Sequence, residues 1–338
     1  MPKKTVRIGI IGAGAIAQVE HIPALKKLKD VEIVAICDHD EERAQRVAQK
    51  FGIERVVEDY EELVRMDDID GVHICTPNFL HAPMTVAALS YGKNVLCEKP
   101  LARNALEAEE MVKAAEKAKK ILMPAVNNRF RADSRLLKKF VEKGELGQIL
   151  YAKTGWLRRP TEWRDSAWHG DKKVSGGGVL MDLGVHMLDL CLWLMGNPGV
   201  VSVTASTYSK AGKRDVEDSA TCFLRLEGGA TVTLEVSWTL LLESNFGYLN
   251  LYGRSGVALL NPLRIHKEMH GTLANVTPSV EPTRNIHKQS YEAEIEHFVD
   301  CVRKGETPVS SAKEGLEVMR VVDAIYKSAE TKKEVKLS

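Results

Sequence analysis

The sequence has almost no excess of charge of either sign. Its 338 residues include 47 lysines and arginines against 46 aspartates and glutamates, which gives a formal net charge of +1. Such a balance creates no strong electrostatic field to attract nucleic acid or a membrane surface. We therefore expect a small-molecule partner, with no nucleic acid and no membrane.

Paired cysteines and long apolar runs are also lacking. The six cysteines occur singly, without the Cys-x-x-Cys spacing that is typical of zinc and redox sites, at positions 37, 75, 97, 191, 222 and 301. No run approaches the roughly 18 apolar residues of a membrane span. The N-terminal residues MPKKTVRIGI lack the features of a signal peptide. We therefore expect reduced, buried cysteines in a cytoplasmic protein.

Short apolar runs alternate with charged segments of helical period in the first part of the chain. The runs are VRIGIIG, VEIVAIC, GVHICT, KNVLCE and KILMPAV. This alternation indicates a doubly wound parallel sheet, and continuously apolar runs are expected of strands that helices cover on both faces. Because the chain is long enough for two domains, we assign residues 1–124 to the first and 125–338 to the second.

A different pattern marks the second domain. The segment ATCFLRLEGGATVTLEVSW alternates polar and apolar residues around Gly228 and Gly229, which predicts an antiparallel hairpin. Further strands are expected at about 148–157, 200–208, 246–252 and 256–260, and helices near 290–303 and 312–330. The second domain is therefore predicted to be α+β, with a large, open, mostly antiparallel sheet and helices on one face.

A glycine motif follows the first strand. The residues Gly12-Ala13-Gly14-Ala15-Ile16-Ala17 form a G-x-G-x-x-A sequence that opens a helix. Gly12 allows a tight turn, Gly14 lets the backbone approach a pyrophosphate, and the small Ala17 lets helix and strand pack closely. The context of strand before and helix after predicts a dinucleotide site in a Rossmann domain.

An acidic residue, Asp38, ends the second strand, 38 − 14 = 24 positions after Gly14. A carboxylate near this spacing accepts hydrogen bonds from the adenosine ribose hydroxyls, and its charge repels a 2′-phosphate. The motif therefore predicts NAD, with NADP disfavoured. Arg43 lies close in sequence and is expected to be a solvated helix residue.

Further motifs complete a pattern that resembles the Gfo/Idh/MocA oxidoreductase family. They are Cys75-Thr76-Pro77-Asn78 with His81, Cys97-Glu98-Lys99-Pro100, Asn127-Asn128-Arg129-Phe130, Trp163-Arg164, and GGGVLMDLGVHMLDLCLWLMG at 176–196. The family includes inositol dehydrogenases, glucose–fructose oxidoreductase and many sugar dehydrogenases. The resemblance spans nearly the whole chain and implies an NAD-dependent dehydrogenase that oxidises a secondary hydroxyl of a sugar, inositol or related polyol.

Three residues are suited to alcohol oxidation. Asp182 and His186 are four apart on a predicted helix and share one face. The resemblance implies that His186 is the general base, that Asp182 positions substrate or imidazole, and that Lys99 binds the reacting oxygen. Lys99 could instead accept the proton, because burial lowers a lysine pKa. Asp182, His186 and His169 could also be considered as metal ligands. The Asp-x-x-x-His spacing supplies only half of a metal site and fixes no third ligand, so we expect no metal.

The remaining site residues are implied by the resemblance. Residues bordering the cofactor are Thr76, Pro77, Asn78, His81, Glu98, Lys99 and Asn127, in addition to Gly12, Gly14, Ala15, Ile16 and Asp38. Residues near the substrate are Arg129 and Tyr291. A polar, aromatic loop with Trp163, Arg164, Trp168 and His169 is suited to contact a hydroxylated ring.

Two other functions remain open for such a chain. Some relatives hydrolyse or epimerise glycosides through transient oxidation, with NAD held and regenerated. A non-catalytic relative could bind dinucleotide as a regulatory ligand, although Lys99, Asp182 and His186 argue against this. The resemblance also implies a homodimer or homotetramer formed through the open sheet of the second domain.

Overall fold

The computed structural model describes residues 5–160, 168–209, 215–278 and 285–337. The chain forms two compact units. The first comprises Met1–Phe130 and Asn285–Leu316, and the second comprises Arg131–Arg284 and Glu317–Ser338. The chain first passes from one unit to the other after Phe130, close to the boundary at residue 124 that the sequence suggested. The return of residues 285–316 to the first unit was not predicted.

The first unit contains six parallel strands. They are β1 (Val6–Ile11), β2 (Val31–Cys37), β3 (Arg55–Val57), β4 (Gly71–Ile74), β5 (Asn94–Glu98) and β6 (Leu122–Ala125). The sheet order is β3-β2-β1-β4-β5-β6, and every pairing is parallel. This confirms the predicted doubly wound sheet. The order reverses between β1 and β4, and ligands of such sheets bind beyond the carboxyl ends of the strands at that point.

Helices alternate with these strands. They are α1 (Ile22–Lys27), α2 (Glu41–Phe51), α3 (Tyr60–Arg65), α4 (His81–Ser90) and α5 (Ala105–Ala118). Side chains of Asp40, Asp59 and Asn104 accept backbone N–H bonds and begin α2, α3 and α5. Each bond satisfies a donor that the first helical turn leaves without a partner. The local sequence therefore determines where these three helices begin.

The second unit contains a nine-stranded sheet and the helices α6 (Ala132–Glu142), α7 (Lys172–Ser175) and α8 (Val185–Leu194). Its strands before residue 285 are β7 (Ile149–Leu157), β8 (Val200–Tyr208), β9 (Ser219–Leu226), β10 (Thr231–Ser237), β11 (Phe246–Gly253), β12 (Gly256–Leu260), β13 (Arg264–Met269) and β14 (Thr272–Asn275). All pairings are antiparallel except that of β10 with β7. The predicted mostly antiparallel sheet is confirmed.

The C-terminal part of the chain contains α9 (Ile286–Lys304), α10 (Ala312–Thr331) and the short strand β15 (Val335–Lys336). Helix α9 belongs to the first unit, and β15 pairs with β8 at the edge of the second sheet. The full sheet order is β14-β13-β12-β11-β7-β10-β9-β8-β15.

The predicted hairpin is present between β9 and β10. A short 3-10 turn, Glu227–Gly229, joins the strands, and both of its glycines have positive φ. Val232, Leu234 and Val236 are buried on one face, as their alternation predicts, whereas Thr233 is exposed on the other.

One helical stretch, Lys172–Leu194, is long and apolar enough to cross a membrane by length and composition alone. However, 94% of its apolar window is buried inside the protein, and every residue of α8 is buried. The apolar composition of this stretch is therefore explained by packing within the second unit.

Candidate active site

The glycine turn lies at the carboxyl end of β1 in the first unit. Gly12 has a φ of +100°, and a Cβ there would lie 2.6 Å from the carbonyl oxygen of Cys75. Only glycine therefore fits. A Cβ on Gly14 would meet nothing closer than 4.0 Å, so packing within the chain does not require this glycine. The open space beside Gly14 fits the close approach of a pyrophosphate.

Asp38 ties the end of β2 to this turn. Its Oδ2 atom accepts a hydrogen bond from the backbone N–H of Ala13 at 2.7 Å, and its Oδ1 atom accepts one from that of Asp40 at 3.0 Å. The side chain is 7% exposed. The carboxylate is therefore fixed beside the glycine turn, in the position where a ribose hydroxyl donor would be recognised.

Arg43 is an ion-pair partner of Asp38, which corrects the expectation of a solvated helix residue. Its Nη2 and Nε atoms lie 2.7 Å and 3.3 Å from the two carboxylate oxygens of Asp38. Burial raises the pKa of Asp38, but the bonds from Arg43 and from the backbone lower it more, and the net shift is downward. Asp38 is thus charged at neutral pH, with a guanidinium beside it.

His81 braces two loops at the carboxyl edge of the same sheet. The ring is 0% exposed, with Nδ1 at 2.8 Å from the carbonyl oxygen of Pro100 and Nε2 at 2.9 Å from that of Thr76. Burial lowers the pKa of His81, against the two carbonyl contacts that raise it. These contacts support an indirect role for His81 in the predicted cofactor site, through the loop of Thr76, Pro77 and Asn78.

Lys99 immediately follows β5, at the predicted carboxyl edge, and is partly exposed. Its backbone N–H donates to the Oε2 atom of Glu98 at 3.1 Å. The other Glu98 oxygen, Oε1, lies 2.8 Å from Nε2 of His21. Glu98 is buried and both of its carboxylate oxygens are bonded within the first unit, so its predicted contact with the cofactor stays a prediction.

Asn127 and Arg129 are buried in the first unit, whereas Ile16, Thr76 and Pro77 are partly exposed and Ala15 is exposed. Asn127 donates to the hydroxyl of Ser290 at 2.9 Å. Arg129 is 1% exposed and donates to the carbonyl oxygen of Val309 and to Glu314, both at 3.0 Å. Such contacts favour a structural role for Arg129, and its predicted contact with substrate stays a prediction.

Tyr291 lies on α9, and its ring centroid is 6.4 Å from that of His21 and 5.1 Å from that of His287. Burial, followed by the charges of Glu98 and Glu294, raises the pKa of Tyr291 well above its ordinary value. The phenol therefore keeps its proton and can only act as a neutral hydrogen-bonding group.

Asp182 and His186 lie in the second unit, on the predicted helix. Asp182 belongs to a π-helical turn, Leu180–Gly184, and His186 to α8, which follows directly. Such turns occur frequently at functional sites. The indole Nε1–H of Trp238 donates to the Oδ2 atom of Asp182 at 3.0 Å. The ring of Trp156 lies 5.8 Å from that of His186, which is 7% exposed.

The glycines before this helix are explained by close packing. A Cβ on Gly178 would lie 1.8 Å from the carbonyl oxygen of Glu217, and one on Gly177 would lie 2.0 Å from the hydroxyl of Tyr326. The Glu217 carboxylate accepts bonds from the backbone N–H groups of Gly178 and Leu180 at 3.0 and 2.9 Å. Glu217 therefore fixes the start of the helix that bears Asp182 and His186.

Four of these residues were not predicted as part of the site: Trp156, Glu217, Trp238 and Tyr326. Each is distant in sequence from the residue that it contacts, so no local spacing identifies it. The one signal in the sequence was the alternating pattern that continues past β10 and places Trp238 on the same buried face as Val236.

The aromatic loop is described in part. The rings of Trp168 and His169 are stacked, with centroids 4.0 Å apart. Trp163 and Arg164, which we predicted beside them, lie outside the described residues. Within the described ranges, no group of three or more His, Cys, Asp or Glu side chains is arranged to hold a metal ion.

Sequence comparisons match both parts of the chain. Residues 6–126 match a family model described as an oxidoreductase family with an NAD-binding Rossmann fold, and residues 138–337 match its C-terminal alpha/beta domain. D-glucoside 3-dehydrogenase of Escherichia coli (strain K12) is 32% identical, over 100% of this chain and 99% of that protein. D-xylose 1-dehydrogenase (NADP(+)) 2 of Haloferax volcanii is also 32% identical, over 97% of this chain and 99% of that protein.

A solved structure has the same fold. Levoglucosan dehydrogenase, in complex with NADH and levoglucosan, superposes with a TM-score of 0.89. The match covers 98% of this chain and 99% of that chain, at 24% sequence identity.

Proposed function

Since the chain belongs to the Gfo/Idh/MocA family of oxidoreductases, we propose that it oxidises a secondary hydroxyl of a sugar, inositol or related polyol with NAD. One observation carries the proposal. The turn at Gly12, the carboxylate of Asp38 and the amine-bearing Lys99 follow three parallel strands of one sheet, at their carboxyl ends. Ligands of doubly wound sheets bind along this edge.

The cofactor site fits NAD. The turn at Gly12 and Gly14, with Ala15 and Ile16 at the helix start, would hold the pyrophosphate, and Asp38 would accept bonds from the ribose hydroxyls. When bound, NAD supplies the acceptor for the hydride that leaves the alcohol carbon. The negative charge of Asp38 favours NAD over NADP, while Arg43 keeps a cation within reach of a 2′-phosphate.

The chemistry is assigned to Lys99, Asp182 and His186. Oxidation of the alcohol releases one proton from its hydroxyl, and a positioned base must take it. We assign this role to His186, with Asp182 orienting the substrate or the imidazole and Lys99 donating a hydrogen bond to the reacting oxygen. In the alternative assignment Lys99 takes the proton. The hydrogen bond from Trp238 supports the proposal, because it holds the Asp182 carboxylate in one orientation.

Two further features belong to the proposal. The open face of the nine-stranded sheet carries a stacked pair, Tyr151 and Tyr252, whose ring centroids are 4.4 Å apart, and the half-exposed Phe223. We assign this face to a homodimer or homotetramer interface. All six cysteines are free and buried, which agrees with a cytoplasmic location.

The test is a screen of sugars and polyols for NADH absorbance, run in parallel with NADP. Turnover with NAD supports the proposal. A different outcome would favour catalysis through transient oxidation over net dehydrogenation. In that case nucleotide copurifies with the protein, no NADH is released, and the substrate is hydrolysed or epimerised.

The catalytic assignment has its own test. Lys99→Met removes the amine and is expected to reduce kcat by at least about a hundredfold, the usual scale for losing one transition-state donor. Lys113→Met, on the exposed face of α5, is the matched control. Full turnover by Lys99→Met would overturn the role of Lys99.

A further inference from the structure

Three buried side chains of the first unit form a continuous polar chain. Nε2 of His21 lies 2.8 Å from Oε1 of Glu98, and Nδ1 of His21 lies 3.0 Å from Nδ1 of His73. Both histidines are 0% exposed. His21 ends the π-helical turn Ala17–His21 after the glycine turn, whereas Glu98 ends β5 and His73 lies within β4.

The geometry limits where the protons lie. Two Nδ1 atoms at 3.0 Å share a single hydrogen, so one ring donates and the other accepts. A buried carboxylate is stable only with a positive or hydrogen-bonding partner, and His21 is the partner of Glu98. With His21 as an imidazolium, it donates from Nε2 to Glu98 and from Nδ1 to His73, which is then neutral.

The pKa directions agree with this arrangement. Burial lowers the pKa of His21, but the neighbouring Cys75 and Glu98 raise it, and the net value is well above the ordinary one. The pKa of His73 is well below its ordinary value, first through burial and then through the charge of His21. Burial raises the pKa of Glu98, whereas His21 and Lys99 lower it, for a net decrease.

The same carboxylate holds the catalytic segment. Oε2 of Glu98 accepts the backbone N–H of Lys99 at 3.1 Å while Oε1 is bound to His21. We propose that His21 is a positioning residue, whose buried positive charge fixes Glu98 and through it Lys99. This inference rests on the proposed function, in which Lys99 acts on the reacting oxygen. His21 thereby links the helix after the glycine turn to the lysine.

Other titratable groups face this pair and must be considered in any pH experiment. They are Cys75 after β4, Glu20 beside His21, Lys99 beside Glu98, and Tyr291 and Glu294 on α9. Burial raises the pKa of Tyr291 and that of Glu20, whereas His21 and Lys99 are the two cations that lower the pKa of Glu98.

The test compares His21→Gln, which offers an uncharged donor to Glu98, with His73→Asn, whose amide oxygen can still accept the Nδ1–H of His21. We expect His21→Gln to reduce kcat about tenfold or more, the scale of a lost charge-assisted bond, with a change of less than about threefold in the Kd for NADH. His73→Asn should keep kcat within about threefold. Equal losses in both variants would mean that His21 only fills the core.

Two readouts separate positioning from packing. Without the cation, Glu98 takes up a proton more readily. The acidic limb of the plot of kcat against pH should therefore move to higher pH in His21→Gln. The double variant His21→Gln with Glu98→Gln lacks this carboxylate and should not show the shift. Nitrogen NMR of the histidine rings should show one imidazolium that persists above the pH range in which ordinary histidines lose their proton. This signal should be present in the parent and absent in Glu98→Gln. A neutral His21 ring at pH 7 would overturn the inference.

The NMR result is independent of turnover. If Lys99→Met keeps full activity while the persistent imidazolium is present, the proposed role of Lys99 fails and the buried ion pair stands. If Lys99→Met is inactive and His21→Gln shows the parent pH profile and kcat, the proposed function stands and the positioning role of His21 fails.

Discussion

The indole of Trp238 donates to Asp182 at 3.0 Å, and this bond joins the end of β10 to the π-helical turn that precedes α8. Trp238 is buried, and its backbone N–H donates to the carbonyl oxygen of Asp218. The side chain therefore has a fixed position from which it holds one carboxylate oxygen of Asp182.

We predict that Trp238→Phe reduces kcat/KM by about tenfold, because a hydrogen bond to a charged group contributes roughly 1.5–3 kcal/mol. Because Phe lacks the fused five-membered ring, the variant also leaves a cavity at this buried position, and its thermal stability should fall. Trp193→Phe in α8 is the matched control, since Trp193 is buried next to Lys138 and is not assigned to the site. An equal loss of kcat/KM in both variants would contradict a specific role of Trp238.

The pair formed by Asp38 and Arg43 predicts the response of cofactor preference to mutation. Asp38→Ala removes the acceptor for the ribose hydroxyls and the charge that repels a 2′-phosphate, while Arg43 remains. We expect the KM for NAD to rise at least about tenfold, from the loss of charge-assisted bonds. The KM for NADP should fall. Steady-state kinetics with both cofactors measures the change.

The double variant Asp38→Ala with Arg43→Ala isolates the contribution of the guanidinium. If Arg43 contacts the 2′-phosphate, the decrease in the KM for NADP should disappear in the double variant. A double-mutant cycle quantifies this coupling between the two residues. Unchanged NADP kinetics between the single and double variants would mean that Arg43 only neutralises Asp38.

Local sequence patterns predicted the first unit well. Apolar runs and the residues that follow them located the turn at Gly12, Asp38 and Lys99 at strand ends, because strand periodicity and turn chemistry are properties of neighbouring residues. The pattern missed β3, whose three residues are too few to show a period. It also misjudged Arg43. Asp40 caps α2 by accepting the N–H of Arg43, which brings this side chain beside Asp38.

Contacts between distant segments could not be predicted. Trp238 is 56 positions from Asp182, and Glu217 is 39 positions from Gly178. A hydrogen bond across such a separation depends on sheet register and on helix placement, neither of which leaves a spacing in one sequence. The family resemblance supplied the proposed catalytic residues but not the side chains that contact them.

The close contact at Gly178 predicts a large loss of stability. In Gly178→Ala the new Cβ would lie 1.8 Å from the backbone oxygen of Glu217, and backbone cannot rotate away as a side chain can. We expect a loss of about 3 kcal/mol or more in the free energy of unfolding, the upper range for overpacking. Gly247→Ala, whose Cβ would meet atoms no closer than 3.6 Å, is the control in denaturant titrations. Equal stabilities of the two variants would contradict the steric account.

The open sheet face predicts which residues control assembly. Register places Phe223 opposite Thr233, which is opposite Lys153, so these side chains form one row on the face that the second unit's core leaves uncovered. Phe223 is half-exposed, and Phe223→Lys should therefore leave the fold of the chain intact while placing a charge in the proposed interface.

Light scattering should give a multiple of 37.5 kDa for the parent and a shift toward 37.5 kDa for Phe223→Lys. Leu106→Lys, at an exposed position on α5, should keep the parent mass because it lies in the other unit. If the parent is a monomer at micromolar concentration, the proposed interface is refuted. If Phe223→Lys keeps the oligomer of the parent, the interface lies on another surface.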